Sequence, residues 1–221
     1  MSKIVEINKF DLVIALYIFG IITVNLMGAK VMPLGHAFGM DFNISVAIFL
    51  MPLLYTIIDV VSEVYGRARA RSLVWSGLVV LILLVLFMLL ATSLPAAARF
   101  QANDAYSQIF GMSLRIAIAS IAAFAFSELL DVMVYNRLKE KTKGKMIWLR
   151  NNISNFLGEF VDSAVFMTIA FYGVFASGFS ENISVLMGLI LPYWIVKCAM
   201  SVVATPLVYT FVASLKTEEK H

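Results

Sequence analysis

Eight charged residues lie inside stretches that are otherwise apolar: Asp59, Glu63, Arg115, Glu128, Asp131, Glu159, Asp162 and Lys197. A charge placed centrally in a bilayer costs about 2.5–3.5 kcal/mol even on the most forgiving insertion scale, so six unpaired acids would cost on the order of 15 kcal/mol or more. They must be paired, protonated or turned toward a polar cavity. Their spacing favours one shared cavity. Asp59 and Glu63 are four residues apart, and Glu128 with Asp131 and Glu159 with Asp162 are three apart, so each pair occupies one face of a helix. On the Glu159 helix the polar stripe runs back through Asn155, Asn152 and Asn151 for about three turns, an edge unsuited to lipid. Tyr193 and Trp194 stand beside Lys197, and Asn25 is a further polar residue in the first apolar run, read as a helix contact or a site residue.

This set can accept hydrogen bonds from a donor-rich ligand and supply one ammonium with aromatic surfaces for stacking. Pure helix-to-helix adhesion does not account for it. One lysine cannot neutralise six carboxylates, and two acids on one turn suppress each other's ionisation. Glu63 is the more ambiguous member, because Arg67 lies one turn on and could satisfy it. Arg115, on the face opposite Glu128, is expected to snorkel to the interface.

The elements that position these groups are membrane helices. Of 221 residues, 61% are apolar or aromatic and 14% charged, and the mean hydropathy is +0.90, which excludes an ordinary soluble domain. Apolar runs at roughly 10–29, 44–65, 72–94, 113–136, 151–176 and 183–213 predict six spans in a single all-α integral-membrane domain over 1–221. The first run is too long for a signal-peptide core and is read as a retained span. The last carries Pro192 and Pro206, so a kink, tilt or break is expected there.

Orientation follows from the basic residues. With a cytoplasmic N-terminus, thirteen Lys and Arg fall in inside segments, while Lys30 and Arg99 alone fall outside. That bias predicts both termini in the cytoplasm. It also explains GRARAR (66–71) and RLKEKTKGK (137–145) as orientation signals, so no nucleic-acid partner is expected. The strings 57–71 and 125–139 resemble each other weakly, each running acidic, aromatic, then basic, which hints at an internal repeat.

Other chemistries find little support. His36 lies in the first outer loop and His221 is terminal, so neither a His-based metal site nor a Ser-His-Asp triad can form in the membrane. Cys198 is the single cysteine, so no intrachain disulfide is available. No Walker loop or HExxH motif occurs, and no enzyme, metal or cofactor is expected. Acidic pairs that hold a divalent cation through oxygens, as in a channel or exchanger, are the competing chemistry.

Four stretches, DVVSEVYGRARAR (59–71), SELLDVMVYNRLK (127–139), LRNNISNFLGEFVDSAVFMTIAFYG (149–173) and KCAMSVVATP (197–206), together resemble the queuosine precursor transporters, also grouped with vitamin-uptake-type transporters. The resemblance covers nearly the whole chain. It implies uptake of 7-deazaguanines, such as the 7-cyano and 7-aminomethyl compounds, across a bacterial inner membrane by a six-helix domain. It further implies recurring roles for Asp59, Asp131, Asp162 and Lys197, whereas Glu63, Glu128 and Glu159 stand where the family varies and would tune the ligand. A guanine-like edge offers adjacent N–H donors to a carboxylate, its keto oxygen can accept from Lys197 or an Asn amide, and a cationic arm could balance a second carboxylate. The expected partners are therefore a purine-like small molecule and the lipid bilayer, and a homo-oligomer is compatible. A substrate-binding subunit of an energy-coupled vitamin importer is the alternative within transport.

Overall fold

The computed structural model describes residues 8–37, 40–141, 147–175 and 177–216. Six helices dominate: α1 (Lys9–Met27), α2 (Met51–Tyr65), α3 (Arg67–Ser93), α4 (Asn103–Lys141), α5 (Ile147–Phe171) and α6 (Phe179–Lys216). Among the described residues, four helical stretches are long and apolar enough to cross a membrane: Lys9–Met27, Arg67–Ser93, Asn103–Leu130 and Phe179–Ala199. On α3 the large side chains Trp75, Leu83, Leu86, Phe87 and Leu90 are exposed, as a lipid-facing surface requires.

One element departs from an all-helical reading. The first connection is a hairpin, in which β1 (Val31–Ala37) pairs antiparallel with β2 (Met40–Ser45), from Val31 opposite Ser45 to Ala37 opposite Met40. The register slips between Pro33 and Gly35, where Gly35 has a φ of +148° open to glycine and Pro33 has no amide hydrogen to pair. Residues 31–45 carry no clean apolar alternation, so no strand is legible there from the chain alone. Ser45 then turns the chain into a short 3-10 helix (Val46–Phe49). Its hydroxyl donates to the Gly28 carbonyl at 2.7 Å and accepts from the Ala47 amide at 3.2 Å. At 15 residues α2 is only about 22 Å long, and the 3-10 turn extends the segment to 46–65.

GRARAR is not the loop its charge suggested. Gly66, at φ +85°, is the whole joint between α2 and α3, and the arginines form the first turns of α3. A residue without Cβ can take that φ freely, and arginine is a good helix former. The similar string 125–139 instead lies inside uninterrupted α4, so the weak internal similarity has no matching local geometry. α6 likewise runs through Pro192 and Pro206 without a break.

Two large apolar clusters divide the bundle, beside a smaller third one of Leu81, Met88 and Ala117 between α3 and α4. Tyr17, Val24, Leu54, Val61 and Leu73 unite α1, α2 and α3. Ile44, Ile116, Met167, Phe171, Leu189 and Tyr193 unite the hairpin with α4, α5 and α6. Close approaches tighten the first cluster: a Cβ at Gly77 would meet the Tyr17 ring at 2.7 Å, and one at Gly20 would meet Leu54 at 2.6 Å. Serines join the halves, since Ser113 of α4 donates to the Leu26 carbonyl of α1 at 2.7 Å.

Arg115 does not snorkel. Its Nε donates to the Ile169 carbonyl and its Nη2 to the Tyr172 carbonyl, both at 2.6 Å, so it caps the C-terminal end of α5. Those carbonyls lack partners within their helix and carry its negative dipole end, which offers a guanidinium more than the interface does.

Candidate functional site

Between the two clusters lies a cavity of about 210 Å³, lined from all six helices. α1 contributes Tyr17 and Asn25, α2 Tyr55, α3 Gly77, α4 Ser120 and Phe124, α5 Asp162 and Phe166, and α6 Tyr193 and Lys197. Most of the wall is apolar, and its polar groups gather at two points. This volume lies below the range of about 300–1,000 Å³ common for drug-sized ligands and suits a small flat molecule.

The first polar point is an ion pair. Lys197, with 5% of its side chain exposed, donates to Asp162 Oδ2, whose residue is 28% exposed. Glu159 Oε2 lies 3.7 Å from the same ammonium, one turn back along α5. That oxygen is buried and has no hydrogen bond, so it relies on charge attraction alone. The ammonium also stands 5.4 Å from the Tyr193 ring centre, and Tyr55 faces it from α2. A buried ammonium is tolerated only when surrounded in this way by carboxylates, hydroxyls and ring faces. Tyr193 in turn stacks at 19° on Phe166 with ring centres 6.1 Å apart.

The second polar point is on the α1 and α4 walls. Asn25, 3% exposed, donates from Nδ2 to the Ile21 carbonyl at 2.8 Å and accepts at Oδ1 from the Ser120 hydroxyl at 2.8 Å.

The structure thus brings Asp162, Lys197, Tyr193 and Asn25 around one cavity, with Glu159 behind the ion pair. Trp194 does not reach the cavity. It packs edge-on against Phe156 and Phe160 at 4.7 and 5.3 Å, with its indole N–H buried and unpartnered. Asp59, Glu63 and Glu128 are exposed and absent from this wall. The side chains of Asp131, Asn152 and Asn155 lie outside the described residues. Sequence reasoning missed Tyr17, Ser120, Phe124 and Phe166, because aromatic and small residues at helical spacing look the same whether they face a cavity or a core. No group of three or more His, Cys, Asp or Glu side chains able to hold a metal occurs among the described residues.

Helices long and apolar enough to cross a bilayer, packed around a small cavity with a buried ion pair, define a multi-pass membrane protein with an internal site. Residues 45–211 match the family model described as "Putative vitamin uptake transporter", which covers more than half of the chain, and the chain belongs to that family. It is a transporter, not an enzyme. The chain is 29% identical over 163 residues to a "Probable queuosine precursor transporter" of Bacillus subtilis, covering 73% of this chain and 69% of the relative. A protein of the same name from Haemophilus influenzae is 29% identical over 65% of this chain and 58% of its own length. The "Queuosine precursor transporter" of Escherichia coli is 28% identical over 60% of this chain and 58% of its own length. In the latter two the matched region spans less than two thirds of the relative. No solved structure matches the chain.

Proposed function

We propose that this protein imports queuosine precursors, 7-deazaguanines such as the 7-cyano and 7-aminomethyl compounds, across a bacterial inner membrane. The observation that carries the reading is the Lys197–Asp162 pair on the wall of a small, largely apolar cavity. The relatives' names supply the ligand class. A guanine-like edge with adjacent N–H donors fits the free lone pairs of Asp162, its keto oxygen fits an N–H of Lys197, and its flat face fits Tyr193 and Phe166.

In this reading the whole chain is one transport domain with six spans and both termini in the cytoplasm, supported by the thirteen-to-two bias of basic residues. Alternating exposure of the central cavity moves the ligand. Asp162, Lys197, Tyr193 and Asn25 hold it, and Glu159 and Trp194 support the ion-pair end. Asp59, Glu63 and Glu128, exposed and off the cavity wall, stand outside the holding site.

A thermal-shift titration of the purified protein with both deazaguanines, guanine, riboflavin and divalent cations tests this, because a ligand that binds only the folded state raises its melting temperature. Stabilisation by a deazaguanine, abolished in Lys197→Met, is expected. Stabilisation by metal ions alone would replace the transport reading with an ion path through the acidic pairs, and by riboflavin alone with a vitamin site.

A further inference from the structure

The charges at the cavity do not balance. Among the described residues that line it, Asp162 and Lys197 are the charged ones, and they form one ion pair. Glu159, one turn back on α5, brings a second carboxylate to the same ammonium, with its Oε2 3.7 Å from Lys197 Nζ. Two carboxylates therefore share one cation, and the ion-pair end carries a surplus of one negative charge. Arg115 does not offset it, being committed to the Ile169 and Tyr172 carbonyls and absent from the cavity wall. The imbalance shows in the contacts. Lys197 gives its hydrogen bond to Asp162, while the buried Glu159 Oε2 has no hydrogen-bond partner. A buried acceptor in that condition is costly to keep and gains from any further cation brought near it.

A surplus charge beside a small apolar space acts on whatever enters that space. In a cavity of about 210 Å³ no part of a ligand is far from the ion pair, and walls of aliphatic and aromatic side chains screen a charge poorly. Burying an ammonium is costly unless an opposite charge meets it, and here the opposite charge is already in place. A ligand with one ammonium arm brings the site to two cations against two carboxylates. A neutral ligand of the same size leaves the surplus as it was, with Glu159 short of a partner.

We propose that the surplus charge of Glu159 makes the cavity select heterocycles with one ammonium arm over neutral ones of similar size. This rests on the reading that a deazaguanine occupies the cavity, and it names the member of that class the site takes. Within that class the 7-aminomethyl compound is the better ligand. Glu159, off the cavity wall, exerts the selection through its charge behind Lys197 and Asp162.

Isothermal titration of the purified full chain with the 7-cyano and 7-aminomethyl compounds tests it. The expected result is a Kd at least about tenfold lower for the aminomethyl compound, the scale of one charge-assisted interaction in a desolvated site. Glu159→Gln removes the surplus and raises the aminomethyl Kd by about tenfold, while the cyano Kd stays within about threefold of native. Glu159→Asp, which keeps the charge, retains most of the preference. Glu159→Met, neutral and of similar volume, serves if the glutamine variant does not fold. Equal or tighter native binding of the cyano compound overturns the proposal while leaving the deazaguanine reading intact. A native preference unmoved in a folded neutral variant, or an equal loss for both compounds, removes Glu159 from the choice and overturns the proposal as well. Binding of neither compound by the folded native protein overturns the underlying reading instead.

Discussion

Asp162→Asn and Lys197→Met remove opposite halves of one ion pair, and the structure predicts unequal costs. Lys197 is 5% exposed, while Asp162 is 28% exposed and faces the cavity. Removing one partner of a fully buried pair costs about 3–5 kcal/mol, mostly because the other charge is left buried and alone. Asp162→Asn strands the ammonium with Glu159 at 3.7 Å as its remaining carboxylate, so a cost of about 2–3 kcal/mol is expected. Lys197→Met leaves Asp162, 28% exposed, able to recruit water, and its methionine fills the vacated volume, but it strands the buried Glu159 Oε2, so about 1–2 kcal/mol is expected. The double variant leaves no buried ammonium and falls between native and Asp162→Asn. For a chain of this size 1 kcal/mol shifts Tm by roughly 2–4 °C, so Asp162→Asn should lower it by about 4–12 °C. Thermal unfolding in a fixed detergent reads all three variants. If Lys197→Met proved as damaging as Asp162→Asn, or if the double variant were the least stable, the asymmetry drawn from burial would be wrong.

Three further outcomes follow from the packing. Gly77→Ala places a methyl 2.7 Å from the Tyr17 ring and pushes that ring into the cavity, so it should cost about 1–3 kcal/mol and weaken ligand binding as well, measured by Tm and titration of one preparation. Arg115→Met leaves the Ile169 and Tyr172 carbonyls without their donor and should lower Tm by several degrees, whereas a surface-snorkelling arginine would be replaced at little cost. Trp194→Phe removes an indole N–H that has no acceptor, so its effect on stability should be within about 1 kcal/mol, and a larger loss would mean the N–H has a partner.

Much of the helical bundle was legible in the chain, and some of the site. Apolar runs long enough to cross hydrocarbon are a one-dimensional property, so each of the six runs falls on one helix, although α4 starts at Asn103, ten residues before its run, and residues 44–50 of the second run form strand and 3-10 turn instead. Lys197 and Asp162 were legible for the same reason, because a charge in an apolar run demands a partner wherever the run folds. The hairpin at 31–45, the single-residue joint at Gly66 and the role of Arg115 were not legible. Each depends on groups remote in sequence, such as the Gly28 carbonyl for Ser45 and the Ile169 and Tyr172 carbonyls for Arg115.

The sequence by itself therefore determined that this is a helical membrane protein and which residues could not face lipid. Only the tertiary structure decided which of those residues share a cavity. Helical periodicity places two acids on one face, but the rotation of that face about the bundle axis is set by packing against other helices, here by close contacts such as Tyr17 on Gly77 and Leu54 on Gly20. Those contacts turn Asn25 inward, and the packing of α5 against α4 and α6 turns Asp162 to the same space, while Asp59, Glu63 and Glu128 stay exposed. Among the described side chains, five similar carboxylates in a string thus become one paired acid at the cavity, one behind it and three apart from it, a distinction that exists only once the helices are packed.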